Sequence, residues 1–116
     1  MLIRLKNKDT LNIDEFSFKC SIGKNGLKSK KVEGDFGTPK GSFLLKKLYY
    51  RSDRFKKIIT VLPKIKIKKN MGWCNDPKHK QYNSLVKINK KIKHEKMFRR
   101  DRKYDLIIVL DYNLNK

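Results

Sequence analysis

Glu33-Gly-Asp-Phe-Gly-Thr-Pro-Lys-Gly-Ser-Phe43 is the stretch that decides how this chain reads. Three glycines and a proline fall within the nine residues from Gly34 to Ser42, and the apolar run Phe43-Leu44-Leu45 follows at once. Glycine reaches backbone angles that other residues avoid, and proline fixes its own φ. The composition therefore asks for a tight, defined loop leading into a strand, with Ser42 to Tyr50 as the strand candidate.

Working outward toward the N-terminus, Leu2 to Leu5 and Leu11 to Ile13 read as short strands, with Asn7-Lys-Asp-Thr10 as the turn between them. Phe16, Phe18, Cys20 and Ile22 alternate with Ser17, Lys19 and Ser21. A period of two places the aromatics and Cys20 on one sheet face. Gly23 to Gly26 then breaks the strand. Toward the C-terminus, Thr60-Val-Leu62 and Ile65-x-Ile67 flank Pro63, so this region is an edge strand or irregular. Asn70 to Asn83, rich in Asn, Gly, Asp and Pro, reads as loop, and Ser84 to Arg102 has room for a short helix around Ile92 to Met97. Leu106-Ile-Ile-Val-Leu110 is the cleanest buried strand, and Asp111-Tyr-Asn113 is the turn after it. The expected class is mainly β (α+β with little helix), without repeats or an internal linker.

The 116 residues suit one small domain, and a hydrophobic content of 38% is enough for a modest core. Lys and Arg number 31 against 11 acidic residues, for a formal net charge of +20. Six of the 31 are arginine and 25 are lysine. Such a charge attracts polyanions, whether nucleic acid, anionic lipid or an acidic wall polymer. The spread of lysines along the chain is equally what a solvated, soluble surface needs. Runs such as Lys64-Ile-Lys-Ile-Lys-Lys69 and Lys90-Lys-Ile-Lys93 are interleaved with aliphatic residues, as half-buried elements require. Cys20 and Cys74 make no disulfide framework. There is no Cys-x-x-Cys, and His79 and His94 lie at no helical spacing, so a metal site is not expected. Neither a signal peptide nor a membrane span is visible, and a literal reading is cytoplasmic.

Three constellations are candidates for chemistry. Cys20 has no histidine near it in sequence and sits on the apolar side of a strand, as a small core residue would. Cys74, in the turn-rich context Gly72-Trp-Cys-Asn-Asp-Pro77 and five residues from His79, reads as the more exposed thiol and could form a Cys/His pair. Trp73 beside it either pins the loop to the sheet or stacks on a sugar ring or apolar ligand face. The third constellation is His94-Glu95 followed by Arg99-Arg100-Asp101. Arginine forks bind carboxylates bidentately, which suits a ligand with several free carboxylates, and Asp101 is placed to hold Arg99 or Arg102. The same segment also reads as a charged surface with local ion pairs, worth little energetically.

Taken in order, Cys20-Ser-Ile-Gly23, Glu33 to Phe43, Tyr49-Tyr-Arg-Ser-Asp-Arg54, Gly72 to Pro77, Tyr82-Asn83, His94 to Asp101 and Tyr104-Asp105 through Leu110 resemble the small, stand-alone L,D-transpeptidases of the YkuD-like family. The resemblance spans nearly the whole chain. Asn75 stands where the family usually has an acid, and Phe98 where it has a larger aromatic. The resemblance implies a mainly β, β-sandwich-like catalytic domain that cuts and rejoins peptidoglycan stem peptides through a cysteine acyl-enzyme, giving 3→3 cross-links in cell-wall biogenesis. It implies no cofactor, stem peptides as partners, a periplasmic or envelope location, and substrate binding by Trp73, His94, Glu95, Arg99 and Asp101.

The family's nucleophile lies in a late His…[Ser/Thr]-x-Gly-Cys motif, and no Gly-Cys pair occurs in the 116 residues. Cys20 and Cys74 match non-nucleophilic family positions. The resemblance thus makes residues 1–116 the N-terminal two-thirds or so of a single transpeptidase domain, inactive as it stands. Two binding readings stand beside it: a non-catalytic relative that holds wall polymer, and a basic module for single-stranded nucleic acid using Tyr49, Tyr50, Trp73 and Tyr82. On the family reading, nucleic acid is attracted only through non-specific charge.

Overall fold

The computed structural model describes residues 2–29 and 32–112. The protein is mainly β: eleven short strands account for the regular structure, and no helix occurs among the described residues. The chain divides into two compact units, Met1–Ser42 and Phe43–Lys116.

In the first unit β1 (Ile3–Asn7), β2 (Thr10–Ile13) and β3 (Phe16–Lys19) form an antiparallel meander. Asn7 Oδ1 accepts the Asp9 N–H at 3.1 Å in the first turn. In the second, Asp14 takes a φ of 51°, a left-handed value that aspartate tolerates better than most residues. Pairing of Ile3 with Ile13, Leu5 with Leu11, Leu11 with Phe18 and Ile13 with Phe16 puts six apolar residues on one face. The expected alternation of Phe16 and Phe18 is therefore present, but the two rings are 61% and 51% exposed. The strand also ends at Lys19, before Cys20 and Ile22. Cys20 is half-buried, and its N–H bonds back to the Asp9 carbonyl.

The Glu33–Phe43 stretch forms the tight loop its composition asks for. β4 (Leu27–Lys28) and β5 (Thr38–Pro39) pair in parallel. Pro39 sits in a two-residue strand, where its missing N–H costs little. Gly34 has φ 82° and Gly41 φ 138°, and even Phe36 is left-handed at 55°. The Asp35 carboxylate accepts the N–H groups of Val32 and Gly37 at 2.8 and 2.7 Å, while Thr38 Oγ1 accepts that of Gly23 at 2.7 Å.

The second unit holds two three-stranded sheets. In one, β6 (Leu45–Tyr50) is central, antiparallel to β11 (Leu106–Leu110) and parallel to β7 (Lys64–Lys66). In the other, β8 (Met71–Cys74) lies between β9 (Leu85–Lys87) and β10 (His94–Lys96), antiparallel to both. Tyr49, Ile67, Met97 and Val109 form the buried core, flanked by Ile65, Met71, Trp73, Phe98 and Ile107. The rings of Tyr49 and Trp73 meet edge to face at 6.2 Å, joining the two sheets.

Several sequence expectations are corrected here. The strand after the loop begins at Leu45, not Ser42. Residues 70–83 are not all loop, because Met71–Cys74 is the central strand of its sheet. Gly72 and Cys74 are buried while Met71 and Trp73 flank the core on the other side, so the period of two is carried by small residues that resemble a turn in composition. The helix expected around Ile92 to Met97 is strand β10. His94, Glu95 and Lys96 pair with Cys74, Trp73 and Gly72, and the Met97 N–H bonds to the Met71 carbonyl at 3.2 Å. These bonds satisfy the backbone without a helix and drop Met97 into the core, 1% exposed. Leu106–Leu110 is a strand, but it is an edge strand, with Leu106, Ile108 and Leu110 on a face that is 37–49% exposed. β7 follows Pro63 at the other edge, in keeping with the proline. Of the turn expected over Asp111-Tyr-Asn113, the first two residues bend the chain and Asn113 lies outside the described residues.

Candidate functional site

Strand pairing sorts the sequence candidates by face. Alternation along β8 and β10 sends Trp73 and Glu95 to one side of the sheet, and Gly72, Cys74 and His94 to the other. His94 is fixed there: its ring lies against Gly72, and Nδ1 donates to the Ile92 carbonyl at 2.7 Å. Trp73 donates its indole N–H to Asn83 Oδ1 at 2.9 Å and spends a ring edge on Tyr49, so it ties strand to loop and core. Cys74 is fully buried, which overturns the expectation of an exposed thiol. His79 is occupied locally, its Nδ1 accepting the Gln81 N–H at 3.0 Å. The proposed base-stacking set fails similarly, since Tyr49 and Tyr50 are 1% and 8% exposed. Asn75 buries an Oδ1 that has no hydrogen-bond partner among the described residues.

Glu95, Arg99 and Asp101 do come together. Arg99 forks onto Asp101, with Nε and Nη2 both within 3.1 Å of its carboxylate. That fork holds the Asp101 pKa down at about 2. The guanidinium also faces the Tyr104 ring at 5.6 Å, and the Tyr104 hydroxyl donates to Glu95 at 2.7 Å. Partial burial, then that bond to Glu95, pushes the Tyr104 pKa up to about 12, so the phenol stays neutral and donating.

Beside this chain of contacts lies a cavity of about 280 Å³ lined by Arg51, Arg54, Phe98, Arg99 and Arg100. β6 delivers Arg51 to it as the strand ends. The chain then turns, with the N–H groups of Arg54 and Phe55 bonding to the Arg51 carbonyl. Asp53 folds back to grip Arg51 through both carboxylate oxygens at 2.9 and 2.8 Å, and Arg51 lowers the pKa of Asp53 in return. Arg51 is 4% exposed, stacks on Phe98 at 3.6 Å and donates to the Arg99 carbonyl at 2.5 Å. Arg54 binds the carbonyls of Arg100 and Asp101 at 2.9 and 2.8 Å and pairs with Asp105. Sequence reading named Arg99 and Arg100 in one carboxylate-binding constellation but missed Arg51, Arg54 and Phe98 as pocket residues. The available signal was arginine itself: four of the six arginines in a lysine-dominated chain line this cavity.

Fold and site together define a small, basic, all-strand protein with an arginine-lined pocket. Among the described residues, no helix is long and apolar enough to cross a membrane, and no group of His, Cys, Asp and Glu is placed to hold a metal ion. Compared with protein-family models, with curated proteins and with solved structures, the chain finds no match in any of the three.

Proposed function

We propose that this chain is part of a YkuD-like L,D-transpeptidase domain of β-sandwich type, and that it contributes the surface that holds peptidoglycan stem peptides during cell-wall cross-linking. The observation that carries this reading is the convergence of the resembling segments in the second unit. Gly72-Trp-Cys74 pairs strand to strand with His94-Glu-Lys96. Arg51 and Arg54, from Tyr49 to Arg54, reach the carbonyls of residues 99–101. In this reading Arg99, held by Asp101, with Glu95 and Tyr104 beside it, faces the stem's carboxylates, and Trp73 and His94 shape the sheet beneath. Neither cysteine is assigned the nucleophile's role: Cys74 is sealed from solvent, and both match positions that carry no nucleophile in the family the chain resembles. The reading places the protein in the cell envelope.

The test is co-sedimentation of the purified chain with wall sacculi, in parallel with single-stranded RNA at physiological salt. Retention on sacculi, competed by free stem peptide, with weak RNA binding is expected. RNA binding with a steep salt dependence and no retention on sacculi overturns the reading in favour of a basic nucleic-acid module. The chain alone should form no stem-peptide cross-links. Cross-linking abolished by Cys74→Ser would show that a nucleophile is present after all.

A further inference from the structure

Four arginines line one open pocket, and their commitments differ. Arg51 spends Nε and Nη2 on Asp53 and Nη1 on a carbonyl. Arg54 spends both terminal nitrogens on Asp105 and on carbonyls of the 99–101 segment. Arg99 gives Nε and Nη2 to Asp101. Arg100 is exposed, and its side chain has no partner among the described residues. Asp53, Asp101 and Asp105 thus pair with three of the four arginines and leave Arg100 without a carboxylate, while the Lys69 ammonium lies 5.9 Å from the centre of the Phe98 ring.

We infer that this pocket is a carboxylate-binding site, with Arg100 and the free Nη1 of Arg99 as the groups that touch the ligand and Arg51 and Arg54 as positioning residues. The planar fork of arginine matches a carboxylate in geometry, which lysine does not, and lysine is the residue this chain otherwise prefers. The three aspartates held by these arginines weigh against a doubly charged anion. A phosphate dianion would bring its second charge among three aspartates. A cavity of about 280 Å³ with the Phe98 ring in its wall has room for a short carbon stem as well as the anion. Arg51, locked on Asp53 and stacked on Phe98, keeps that ring in place without competing for the ligand. The site overlaps the proposed stem-peptide surface at Arg99, and rests on that reading only for the identity of a natural ligand.

Two carboxylates occur on peptides, the chain terminus and the acidic side chain, and separate probes distinguish them. N-acetylalanine offers the first, and N-acetylglutamic α-amide the second. The full chain, isotopically labelled, is titrated with each and with inorganic phosphate, following the NMR signals of the Arg99 and Arg100 side chains and the Phe98 ring. Saturable shifts at these groups are expected with at least one carboxylate, and the better probe names the source. Arg100→Gln should weaken binding about tenfold, as expected for loss of a charge-assisted bond, while Lys90→Gln leaves it unchanged. The inference is overturned if neither carboxylate saturates, if Arg100→Gln binds like the parent, or if phosphate takes the same site more tightly. A failure on sacculi would leave these shifts in place, so the two readings fall separately.

Discussion

Arg51 is the residue on which the second unit's chemistry turns. It is nearly buried, yet its charge stays satisfied by the Asp53 carboxylate, the Arg99 carbonyl and the Phe98 ring face. Each of these partners needs a different part of a planar fork. Lysine has the charge but neither the fork nor the flat face, so the exchange is not conservative here. Arg51→Lys is expected to cost about 2–3 kcal/mol, the range for losing charge-assisted bonds and packing at a buried site. Arg100→Gln, at an exposed position without partners among the described residues, should stay within about 0.5 kcal/mol. Urea unfolding of both variants checks the contrast. Equal stability of the two would mean that Asp53 and Phe98 hold the turn without Arg51.

At the scale of elements, the pairing of β8 with β10 decides the second sheet. A Cβ built on Gly72 would lie 2.9 Å from His94 Cδ2 and 3.3 Å from its Cβ. Turning the ring relieves the 2.9 Å contact, but the 3.3 Å approach to Cβ also requires the two strands to shift by a few tenths of an ångström. Gly72→Ala should therefore destabilise by about 1–3 kcal/mol, the usual cost of overpacking. His94→Ala in the same chain should restore part of that loss, and a double-mutant cycle by thermal unfolding measures the coupling. Strict additivity would show that the glycine serves the backbone rather than the ring. This pairing was hard to read from sequence for a physical reason. Leu106 to Leu110 announces a strand because its side chains are large and apolar. Gly72 leaves room for the His94 ring and Cys74 is a small buried residue, and hydropathy records volume poorly. The helix expectation around Ile92 to Met97 failed similarly, since partners for His94, Glu95 and Lys96 lie on a strand some twenty residues earlier. The loop from Gly34 to Ser42 was legible because its constraints are local: left-handed glycines, a fixed proline and an aspartate that caps its own turn. For the pocket, only the Arg99-Arg100-Asp101 stretch was legible. Arg51 and Arg54 reach carbonyls 46–48 residues away, and carbonyls carry no sequence signature.

For the whole molecule, charge is the dominant variable. Thirty-one basic residues face 11 acidic ones, and those acids include Asp53, Asp101 and Asp105, already paired with arginines. Two opposing effects of salt follow. Screening weakens these local pairs, but exposed pairs contribute little and the buried side of Arg51 is shielded from ions. Screening also relieves the repulsion among 25 lysines spread along the chain, and this effect extends over the whole surface. At about 0.01 M salt the screening length is about 30 Å, long enough for lysines across a small unit to repel one another; at about 0.15 M it is about 8 Å. The relief should therefore win. Raising sodium chloride between those limits should raise the thermal midpoint, by about 4 °C for each kcal/mol of repulsion removed in a chain of this size. Exchanging Lys90 and Lys93 for glutamate lowers the net charge and should flatten the rise. A midpoint that falls with added salt would assign control of stability to the three arginine–aspartate pairs, and would make the lysines solvated bystanders.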